Sequence, residues 1–271
     1  MSQALLFKRP SPFTLPGDNA RFDPSHFAAR GMAPGNGFSG VCPGGTCFLN
    51  LLTRKTGNDT GTGSPISGIN GLIGKYTGYS TATGAQGISL TGLSAAPATQ
   101  TCAAIVYATA FSQPVVAMSH GGNSDGLALF ANTTTGALGV FANSGGNIVS
   151  TKAIITLNTP WFIAASANST ISKINFVATN LITGKTLSDS VSSAIGFTAT
   201  GTYRVAADNY ADGWVGGIAA AMYAPNFLST QELSLWGSDP WSFWYPRTLD
   251  LSMMMRPNTG VADVLYAQIL L

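Results

Sequence analysis

From residue 101 onwards, short apolar segments alternate with turns rich in glycine and asparagine. They recur about every 8–12 residues, which is the spacing of strands in an antiparallel β-sandwich. The segments are bounded by turn-forming residues, which favours strands over helices. The predicted strands are 102–111, 114–119, 126–131, 137–142, 147–154, 161–167, 173–180, 202–207 and 214–223. The sequence therefore predicts an all-β fold in which two antiparallel sheets pack face to face.

Two pairs of these segments are predicted to be neighbours in a sheet. Segments 126–131 and 137–142 flank a short turn that begins with asparagine and ends with glycine, which is typical of a hairpin. Segments 202–207 and 214–223 are predicted to form a last hairpin around the turn 208–213.

Prolines concentrate in the first 60 residues, which hold six of the 14. Proline fixes φ and donates no hydrogen bond to a ladder, so we expect an extended arm here instead of regular sheet or helix. Residues 56–100 are rich in glycine, serine and threonine and predict loops with one or two brief strands. Aromatic side chains along the arm are predicted to anchor it on its own body or on a neighbouring subunit. These assembly contacts are Phe7, Phe13, Phe22 and Phe27.

The other end of the chain is also predicted to be an arm. Residues 264–271 form an apolar segment with strand character, and an unpaired apolar strand promotes aggregation. We therefore expect it to pair with the body or with another subunit through Leu265, Tyr266 and Ile269. The predicted division is an N-terminal arm at 1–60, a sandwich at 61–246 and a C-terminal arm at 247–271.

One short helix is predicted near the end of the sandwich. Ser229-Thr-Gln-Glu232 has the capping-box pattern, in which each of the two terminal side chains accepts a hydrogen bond from the other's backbone amide. Phe227 or Leu228 is placed to pack on Leu233. A glycine and a proline then end the helix after about two turns.

The surface is expected to carry few charges. Asp, Glu, Lys and Arg make up 9% of the residues, against roughly 25% in an average soluble domain. Weakly charged surfaces resist association poorly, which favours a homo-oligomer or a larger assembly. The net charge is only +2, and no nucleic-acid partner is predicted. No apolar run reaches ~18 residues, so no membrane span is predicted, and without a signal peptide we expect synthesis in the cytoplasm without classical secretion.

Three stretches resemble a known family. They are GLALFANTTTGALGVFA from residue 126, TPWFIAASA from residue 159, and GWVGGIAAAMYAPNFLSTQELSLWGSDPW from residue 213. Together they resemble the concanavalin A-like lectin/glucanase jelly roll in its laminin-G-like form. The continuation from Asp239 to Arg247 resembles a variant of bacteriophage and prophage structural proteins. The resemblance implies a jelly-roll sandwich and a place in a virion that is made in the cytoplasm of a host bacterium.

Acidic residues are sparse in a way that bears on catalysis. A glycosidase needs two carboxyl groups that flank the scissile bond. Glu232 is the only glutamate and is explained by the capping box, while Asp208 and Asp212 are the only aspartates close together and belong to a turn. His120 lies in a polar loop without the strand-to-helix turn of a serine hydrolase. We therefore predict no catalytic residue, no cofactor and no enzymatic activity.

Weak candidates for binding remain. Asp125, Asp208 and Asp212 could supply oxygen ligands to calcium, although Asx turns are the favoured explanation of these residues. Tyr203, Tyr210 and Trp214 lie near one turn and could stack on a sugar, although Trp214 could also fill the core.

The cysteines do not indicate a metal site. The chain has three, Cys42, Cys47 and Cys102. An odd number without an export signal favours free thiols, while the first two could also close a small loop by a disulfide.

These features predict a non-enzymatic structural protein of a virion. A capsid decoration protein that binds other virion proteins and copies of itself through its arms is the first interpretation. A tail or fibre component, or a lectin-like module for glycans of the host surface, is the alternative. Neither interpretation involves a cofactor, a nucleic acid or a membrane.

Overall fold

The computed structural model describes residues 23–33, 37–41, 49–50, 58–59, 66–71, 74–79, 88–93, 97–111, 116–119, 127–141, 146–197, 201–205 and 214–244. Within these ranges the chain is almost entirely strand, with one α-helix, α1 (Thr230–Ser238). The strands are β1 (Phe38–Val41), β2 (Leu49–Asn50), β3 (Asn58–Asp59), β4 (Ile66–Gly71), β5 (Gly74–Tyr79), β6 (Ile88–Leu93), β7 (Thr99–Ala110), β8 (Val116–Ser119), β9 (Ala128–Ala131), β10 (Ala137–Phe141), β11 (Asn147–Ile154), β12 (Pro160–Asn168), β13 (Lys173–Asn180), β14 (Thr186–Ser192), β15 (Gly201–Val205) and β16 (Val215–Ala224).

The described strands form two antiparallel sheets. Sheet A runs in the order β14-β13-β12-β7-β16-β1-β2, with β5 also paired to β16 and β4 to β5. Sheet B runs in the order β11-β10-β9-β8-β15-β6-β3. The predicted all-β, two-sheet antiparallel sandwich with one short helix near its end is confirmed.

The core lies between the sheets, and the outer face of sheet A is buried as well. On β7, Cys102, Ala104 and Val106 point into the layer between the sheets, whereas Ala103 and Ile105 belong to the apolar layer on the opposite face. All five side chains are fully buried. A strand covered on both faces is apolar at consecutive positions instead of alternate ones. This explains why β7 appears in the sequence as one continuous apolar run.

The cover on the outer face of sheet A comes mainly from the end of the sandwich. Helix α1 and the 3-10 helix Pro240–Phe243 lie on this face. The predicted capping box is confirmed, because Ser229 Oγ accepts a hydrogen bond from the amide of Glu232 at 3.1 Å and Glu232 Oε2 accepts one from the amide of Ser229 at 2.8 Å. Leu228 and Leu233 are both fully buried in this layer.

The predicted hairpin between the last two strands is wrong. β15 pairs with β6 and β8 in sheet B, whereas β16 pairs with β7, β1 and β5 in sheet A. The connection between them therefore crosses from one sheet to the other. Turn-forming residues mark the end of a strand but do not determine which sheet the next strand joins. A connection that crosses between sheets therefore has the same sequence pattern as a hairpin.

The expectation that the first 60 residues form no regular sheet is also wrong. β1 pairs with β16 over four residues, from Phe38 opposite Tyr223 to Val41 opposite Ala220. In the sequence, Pro34 precedes this strand and Pro43 follows it, so no proline interrupts the ladder of β1.

Residues 56–100 contain more strand than was predicted. β4, β5 and β6 each have six residues, where loops with one or two brief strands were expected. Their glycine, serine and threonine residues hide the apolar alternation that identifies a strand. The C-terminal arm at 247–271, including Leu265, Tyr266 and Ile269, lies outside the described residues. The domain division at residues 60 and 246 stays a prediction.

Strand β14 was not predicted because a carboxylate interrupts its apolar face. Leu187 and Val191 pack against the core between the sheets, and Asp189 lies between them on the same face. Oδ2 of Asp189 accepts hydrogen bonds from Ser150 Oγ at 2.8 Å and from the Thr151 amide at 2.8 Å. Asp189 therefore joins β14, at the edge of sheet A, to β11, at the edge of sheet B.

We expect Asp189→Asn to destabilise the protein by about 1–3 kcal/mol at pH 7, because the amide loses acceptors for buried donors. Burial alone would raise the pKa of Asp189, but hydrogen bonds from Ser150, Thr151 and Ser190 outweigh it and lower the pKa. The ionised Asp189 carboxylate therefore contributes its full stabilisation above its pKa in the unfolded chain, about 3.9. This contribution is lost as the pH falls through the pKa of Asp189 in the folded protein, which is lower. Urea unfolding of both proteins at pH 7 and at pH 3 measures the difference.

The matched control is Ser188→Asn, an exposed position on the same strand, which should change the unfolding free energy little at either pH. An Asp189→Asn effect that is equally large at pH 3 and pH 7 would contradict the role of the ionised carboxylate.

Candidate functional site

A groove opens on the outer face of sheet A, where the N-terminal segment meets the end of α1. Its volume is about 520 Å³. One wall is the segment that leads into the 3-10 turn Phe27–Ala29, and the other is the last turn of α1 with the 3-10 helix that follows. The described residues that line it are Asp23, Ser25, His26, Phe27, Leu235, Trp236, Ser238, Asp239 and Ser242.

The N-terminal wall is tied to the body of the sandwich. The amide of Asp23 donates a hydrogen bond to the carbonyl of Phe243 at 2.7 Å. Asn226 Nδ2 donates to the carbonyls of Ala28 at 2.9 Å and Arg30 at 3.1 Å. Arg30 also forms an ion pair with Glu232 of the capping box. These contacts fix the width of the groove.

His26 lies half-buried in the groove with both ring nitrogens engaged. Nδ1 accepts a hydrogen bond from the amide of Ala28 at 3.2 Å, so in the neutral ring the proton is on Nε2. Nε2 lies 3.2 Å from Ser242 Oγ, which itself donates to the carbonyl of Asp239 at 2.6 Å. The imidazole therefore donates to the hydroxyl and cannot accept its proton, so Ser242 is not activated as a nucleophile.

Burial sets the charge of His26. It lowers the pKa of His26 to about 4, although the carboxylates of Asp23 and Asp239 act in the opposite direction. The ring is consequently neutral at pH 7, and the carboxylates give the described lining of the groove a negative charge.

The two aspartates reach the groove from different elements. Oδ1 of Asp23 accepts hydrogen bonds from the amide and the hydroxyl of Ser25, at 2.8 and 2.6 Å. Asp239 is the residue that ends α1, where its amide donates to the carbonyl of Trp236 at 3.0 Å. Both side chains are half-buried.

Aromatic rings form the inner side of the groove. The Trp236 ring lies 5.0 Å from Phe162 of sheet A and 5.3 Å from Phe243, between centroids. Trp236 Nε1 donates to the carbonyl of Pro240 at 3.2 Å. His26 stacks on the half-buried Phe27 at 4.2 Å, and Leu235 leaves 62% of its surface exposed at the rim.

A row of polar side chains, all buried except that of Ser190, holds the link between β16 and α1. Thr101, Ser166, Asn175 and Ser190 occupy adjacent register positions on β7, β12, β13 and β14. Ser166 Oγ accepts a hydrogen bond from the amide of Leu228 at 2.7 Å, and Asn175 Nδ2 donates to the Leu228 carbonyl at 2.8 Å. The row therefore determines where α1, and with it one wall of the groove, begins.

Trp214 is removed from the sugar-binding candidates. Its side chain is fully buried in the core between the sheets, and a ring without exposed surface cannot stack on a sugar. Phe27, a predicted assembly contact, packs on its own chain, which is one of the two arrangements that the sequence left open.

The other predicted site residues fall outside the described part of the chain. The Tyr203 backbone lies in β15, but its side chain is not described. Tyr210, the calcium candidates and the remaining assembly contacts are not described at all: Asp125, Asp208, Asp212, Phe7, Phe13, Phe22, Leu265, Tyr266 and Ile269.

Other kinds of site are not found in the part of the chain that the structure covers. The described side chains contain no group of three or more metal-ligating residues. No described helix is both long and apolar enough to cross a membrane. Cys102 is a free, buried thiol whose pKa is raised by burial; Cys42 and Cys47 are outside the described ranges.

Comparison with known families and curated proteins finds no match to this sequence. Solved structures do match in fold. An α-L-arabinofuranosidase is 10% identical, with a TM-score of 0.52 over 75% of this chain and 52% of that chain. Domain 4 of the arabinanase AbnA from Geobacillus stearothermophilus is 14% identical, with a TM-score of 0.48 over 70% of this chain and 92% of that chain.

The enzymatically active domain of bacteriophage CBA120 tailspike protein 2 is 15% identical, with a TM-score of 0.43 over 70% of this chain. The chain spans only 30% of that protein and 33% of a Trypanosoma rangeli sialidase that it also matches. At 10% identity and a TM-score of 0.52, the likeness to the α-L-arabinofuranosidase shows a common β-sandwich fold. It does not extend to capsid decoration, which stays a prediction.

The prediction that the chain is not an enzyme is wrong. A glycosidase, the α-L-arabinofuranosidase, has the same fold, so this sandwich belongs to an architecture that enzymes use. The sequence argument required two acidic residues close together along the chain. The fold instead brings Asp23 and Asp239, from opposite ends of the described chain, to the two walls of one groove.

Proposed function

We propose that the protein is a carbohydrate-binding component of a bacteriophage particle and that the groove between Asp23 and Asp239 is its sugar site. The observation that supports this most directly is the composition of the groove. Carboxylates, serine hydroxyls and an apolar rim meet in one concave surface on a rigid sheet. Small-molecule sites are generally concave, with a few well-placed polar groups beside apolar ones.

The chemistry of the lining matches that of a sugar. Sugar hydroxyl groups donate hydrogen bonds that ionised Asp23 and Asp239 would accept, and charge-assisted hydrogen bonds are the stronger ones. The hydroxyls of Ser25 and Ser238 both donate and accept. Leu235, exposed at the rim, offers apolar surface to the C–H face of a pyranose ring.

The placement in a phage particle rests on the sequence resemblance of the segment from Asp239 to Arg247. The described part of that segment forms one wall of the groove. A protein of the tail that recognises glycans of the host surface accounts for both the resemblance and the groove. Labelled copies in purified particles, located by electron microscopy, should lie on the tail; copies on the head would support capsid decoration instead.

Binding is tested with a glycan array and with calorimetry of the best ligand. Wild-type protein should bind at least one glycan, and Asp239→Asn should weaken binding about tenfold or more by removing charge-assisted hydrogen bonds. Leu235→Ser should weaken binding by removing the apolar rim. Release of reducing ends from the ligand shows in the same experiment whether bound glycan is cleaved.

The matched control is Gln231→Ala on the exposed side of α1, outside the groove, which should leave affinity unchanged. Thermal unfolding verifies that each variant is folded. An array without any bound glycan, or binding that neither groove variant alters, would exclude this site.

A further inference from the structure

We infer that the link between β16 and α1, residues 225–228, is a common anchor for both walls of the groove. Asn226 and Ser166 are then positioning residues of the site, although neither is among the described residues that line it. The effect on sugar binding rests on the proposed function. The coupling of the two walls does not, because it is measured without a ligand.

Asn226 holds the N-terminal wall. Its Nδ2 donates hydrogen bonds to the carbonyls of Ala28 and Arg30, at 2.9 and 3.1 Å. Two hydrogen bonds from one amide group fix the orientation of that segment as well as its distance from the link. Gly31 lies against the link too, since a Cβ there would be 3.4 Å from Cγ of Pro225.

Backbone hydrogen bonds connect this contact to the residues that line the groove. The amide of Ala29 donates to the carbonyl of His26 at 2.8 Å, and the amide of His26 donates to the carbonyl of Asp23 at 3.1 Å. The N-terminal wall is therefore one hydrogen-bonded unit, and its position follows that of Asn226.

Leu228 holds the other wall. Its amide donates to Ser166 Oγ at 2.7 Å, and its carbonyl accepts a hydrogen bond from Asn175 Nδ2 at 2.8 Å. Leu228 immediately precedes Ser229, the N-cap of α1. A displaced Leu228 would therefore shift the start of the helix whose last turn forms this wall.

Two buried hydroxyl groups join these two points of the link. Thr101 Oγ1 donates to the carbonyl of Asn226 at 3.0 Å, because a carbonyl can only accept. The single proton of Thr101 is thus used, so Ser166 is the donor in the 2.8 Å contact between the two hydroxyls. The hydrogen bonds form one ordered chain from the amide of Leu228 through Ser166 and Thr101 to Asn226, and such chains are cooperative.

Removal of the Ser166 hydroxyl breaks this chain where it serves both walls. Ser166→Ala leaves the amide of Leu228 without its acceptor and Thr101 without its donor, so we expect both walls to loosen. Asn226→Ala removes the two hydrogen bonds to the N-terminal wall, while Leu228 keeps its bonds to Ser166 and Asn175.

Hydrogen exchange of two amides reports on the two walls. The amide of Asp23 is bonded to the carbonyl of Phe243 at 2.7 Å and reports on the contact of the N-terminal wall with the opposite one. The amide of Leu233 is bonded to the carbonyl of Ser229 at 3.0 Å and reports on the start of α1.

The two variants should give different patterns of exchange. Ser166→Ala should raise the exchange rates of both the Asp23 and the Leu233 amides about tenfold or more, the effect of one lost hydrogen bond to a buried group. Asn226→Ala should raise the rate of Asp23 alone by a similar factor.

The matched control is Ser150→Ala. Ser150 is also a buried serine, but its hydroxyl binds Asp189 and the amides of Lys152 and Ala153, where the edges of the two sheets are joined. This variant should lower the free energy of global unfolding, as Ser166→Ala does, without raising the exchange rate of either reporter amide. Equally fast exchange in Ser150→Ala would mean that general destabilisation is responsible and would overturn the inference.

Calorimetry with the best ligand of the glycan array gives the consequence for binding. Asn226→Ala and Ser166→Ala should each weaken binding about threefold or more, because part of the binding free energy is then spent on ordering a loosened wall. Ser150→Ala should leave the affinity unchanged at temperatures where all three variants are folded.

Faster exchange at Leu233 but not at Asp23 in Ser166→Ala would show that the walls are held independently and would overturn the common anchor. If Ser166→Ala does not fold, an unchanged Asp23 rate in Asn226→Ala would overturn it as well. Wild-type affinity in both variants, with binding weakened by Leu235→Ser, would overturn the positioning roles and leave the sugar site standing. A wild-type protein that binds no glycan would overturn the proposed function, whereas faster exchange at both amides in Ser166→Ala would still establish the common anchor.

Discussion

Replacing Gly216 with alanine is expected to destabilise the sandwich by about 3–5 kcal/mol, the sum of backbone strain and forced overpacking. Gly216 has φ +133, in a region that side chains rarely adopt. A Cβ there would overlap the carbonyl oxygen of Tyr107 and would come within 3.0 Å of the Ala108 Cα and the Thr109 amide nitrogen. All three are backbone atoms of β7, so no side-chain rotation relieves the overlap.

The position of this glycine makes the effect global. β16 lies between β7 on one side and β1 and β5 on the other, and its register with β7 shifts between Val215 and Gly216. The bulge redirects the strand at the point where it pairs with β5, opposite Tyr79. Forcing β7 away would therefore disturb the centre of sheet A.

Chemical unfolding of Gly216→Ala measures this cost, with Gly146→Ala as the matched control. A Cβ at Gly146 would meet no atom within 4 Å, and the backbone there has no positive φ. Alanine there should leave stability unchanged or raise it slightly, since it reduces the entropy of the unfolded chain. A Gly216→Ala protein as stable as the control would contradict the close approach of β16 to β7.

Local patterns in the sequence were sufficient for the parts of the fold that depend on neighbouring residues. The hairpin of β9 and β10 follows from its turn, and the capping box of α1 follows from Ser229 and Glu232. Strands β11 and β13 were predicted with the bounds that they have in the structure. In each case the pattern that identifies the element, a turn, a cap or an apolar run between turns, lies within a few positions along the chain.

Features created by long-range register could not be predicted in this way. Thr101, Ser166 and Asn175 are isolated polar residues within apolar runs, and only the pairing of their strands places them in one row. In the same way, whether the chain stays in sheet B after β15 or crosses to sheet A depends on which strands can pair with β16. The turn residues between β15 and β16 do not specify that partner.

The candidate site was missed for the same reason. Asp23 and His26 lie in a segment that was interpreted as an arm, and Asp239 and Ser242 lie in one for which only a family resemblance was noted. These four residues line one groove only because β1 pairs with β16 and α1 lies on sheet A. The one signal in the sequence was Trp236 itself, because a tryptophan on a short helix favours packing against another element.

Trp236→Ala should cost about 3–5 kcal/mol, because it removes a large buried ring from the layer on sheet A. Only 1% of this side chain is exposed. Its ring lies near Phe162, Phe243 and Trp244, and 5.5 Å from His26, between centroids. The cavity would open below the groove, so the N-terminal wall should loosen before the sheets separate.

The matched variant is Trp236→Phe, which retains an aromatic ring against Phe162 and loses the hydrogen bond from Nε1 to the carbonyl of Pro240. It should cost about 1–2 kcal/mol, from a smaller cavity and one lost hydrogen bond. Urea unfolding gives both free energies, and hydrogen exchange of the Asp23 amide, bonded to Phe243, reports on the wall alone.

Faster exchange at Asp23 in Trp236→Ala, under conditions where the amides of β12 stay protected, would show that the groove depends on this ring. If the Asp23 amide and the β12 amides are equally protected in Trp236→Ala, the segment before Phe27 is held by its backbone hydrogen bonds and not by the aromatic layer. In that case the groove would remain formed, and the variant would bind glycans as the wild type does at temperatures where the sandwich is folded.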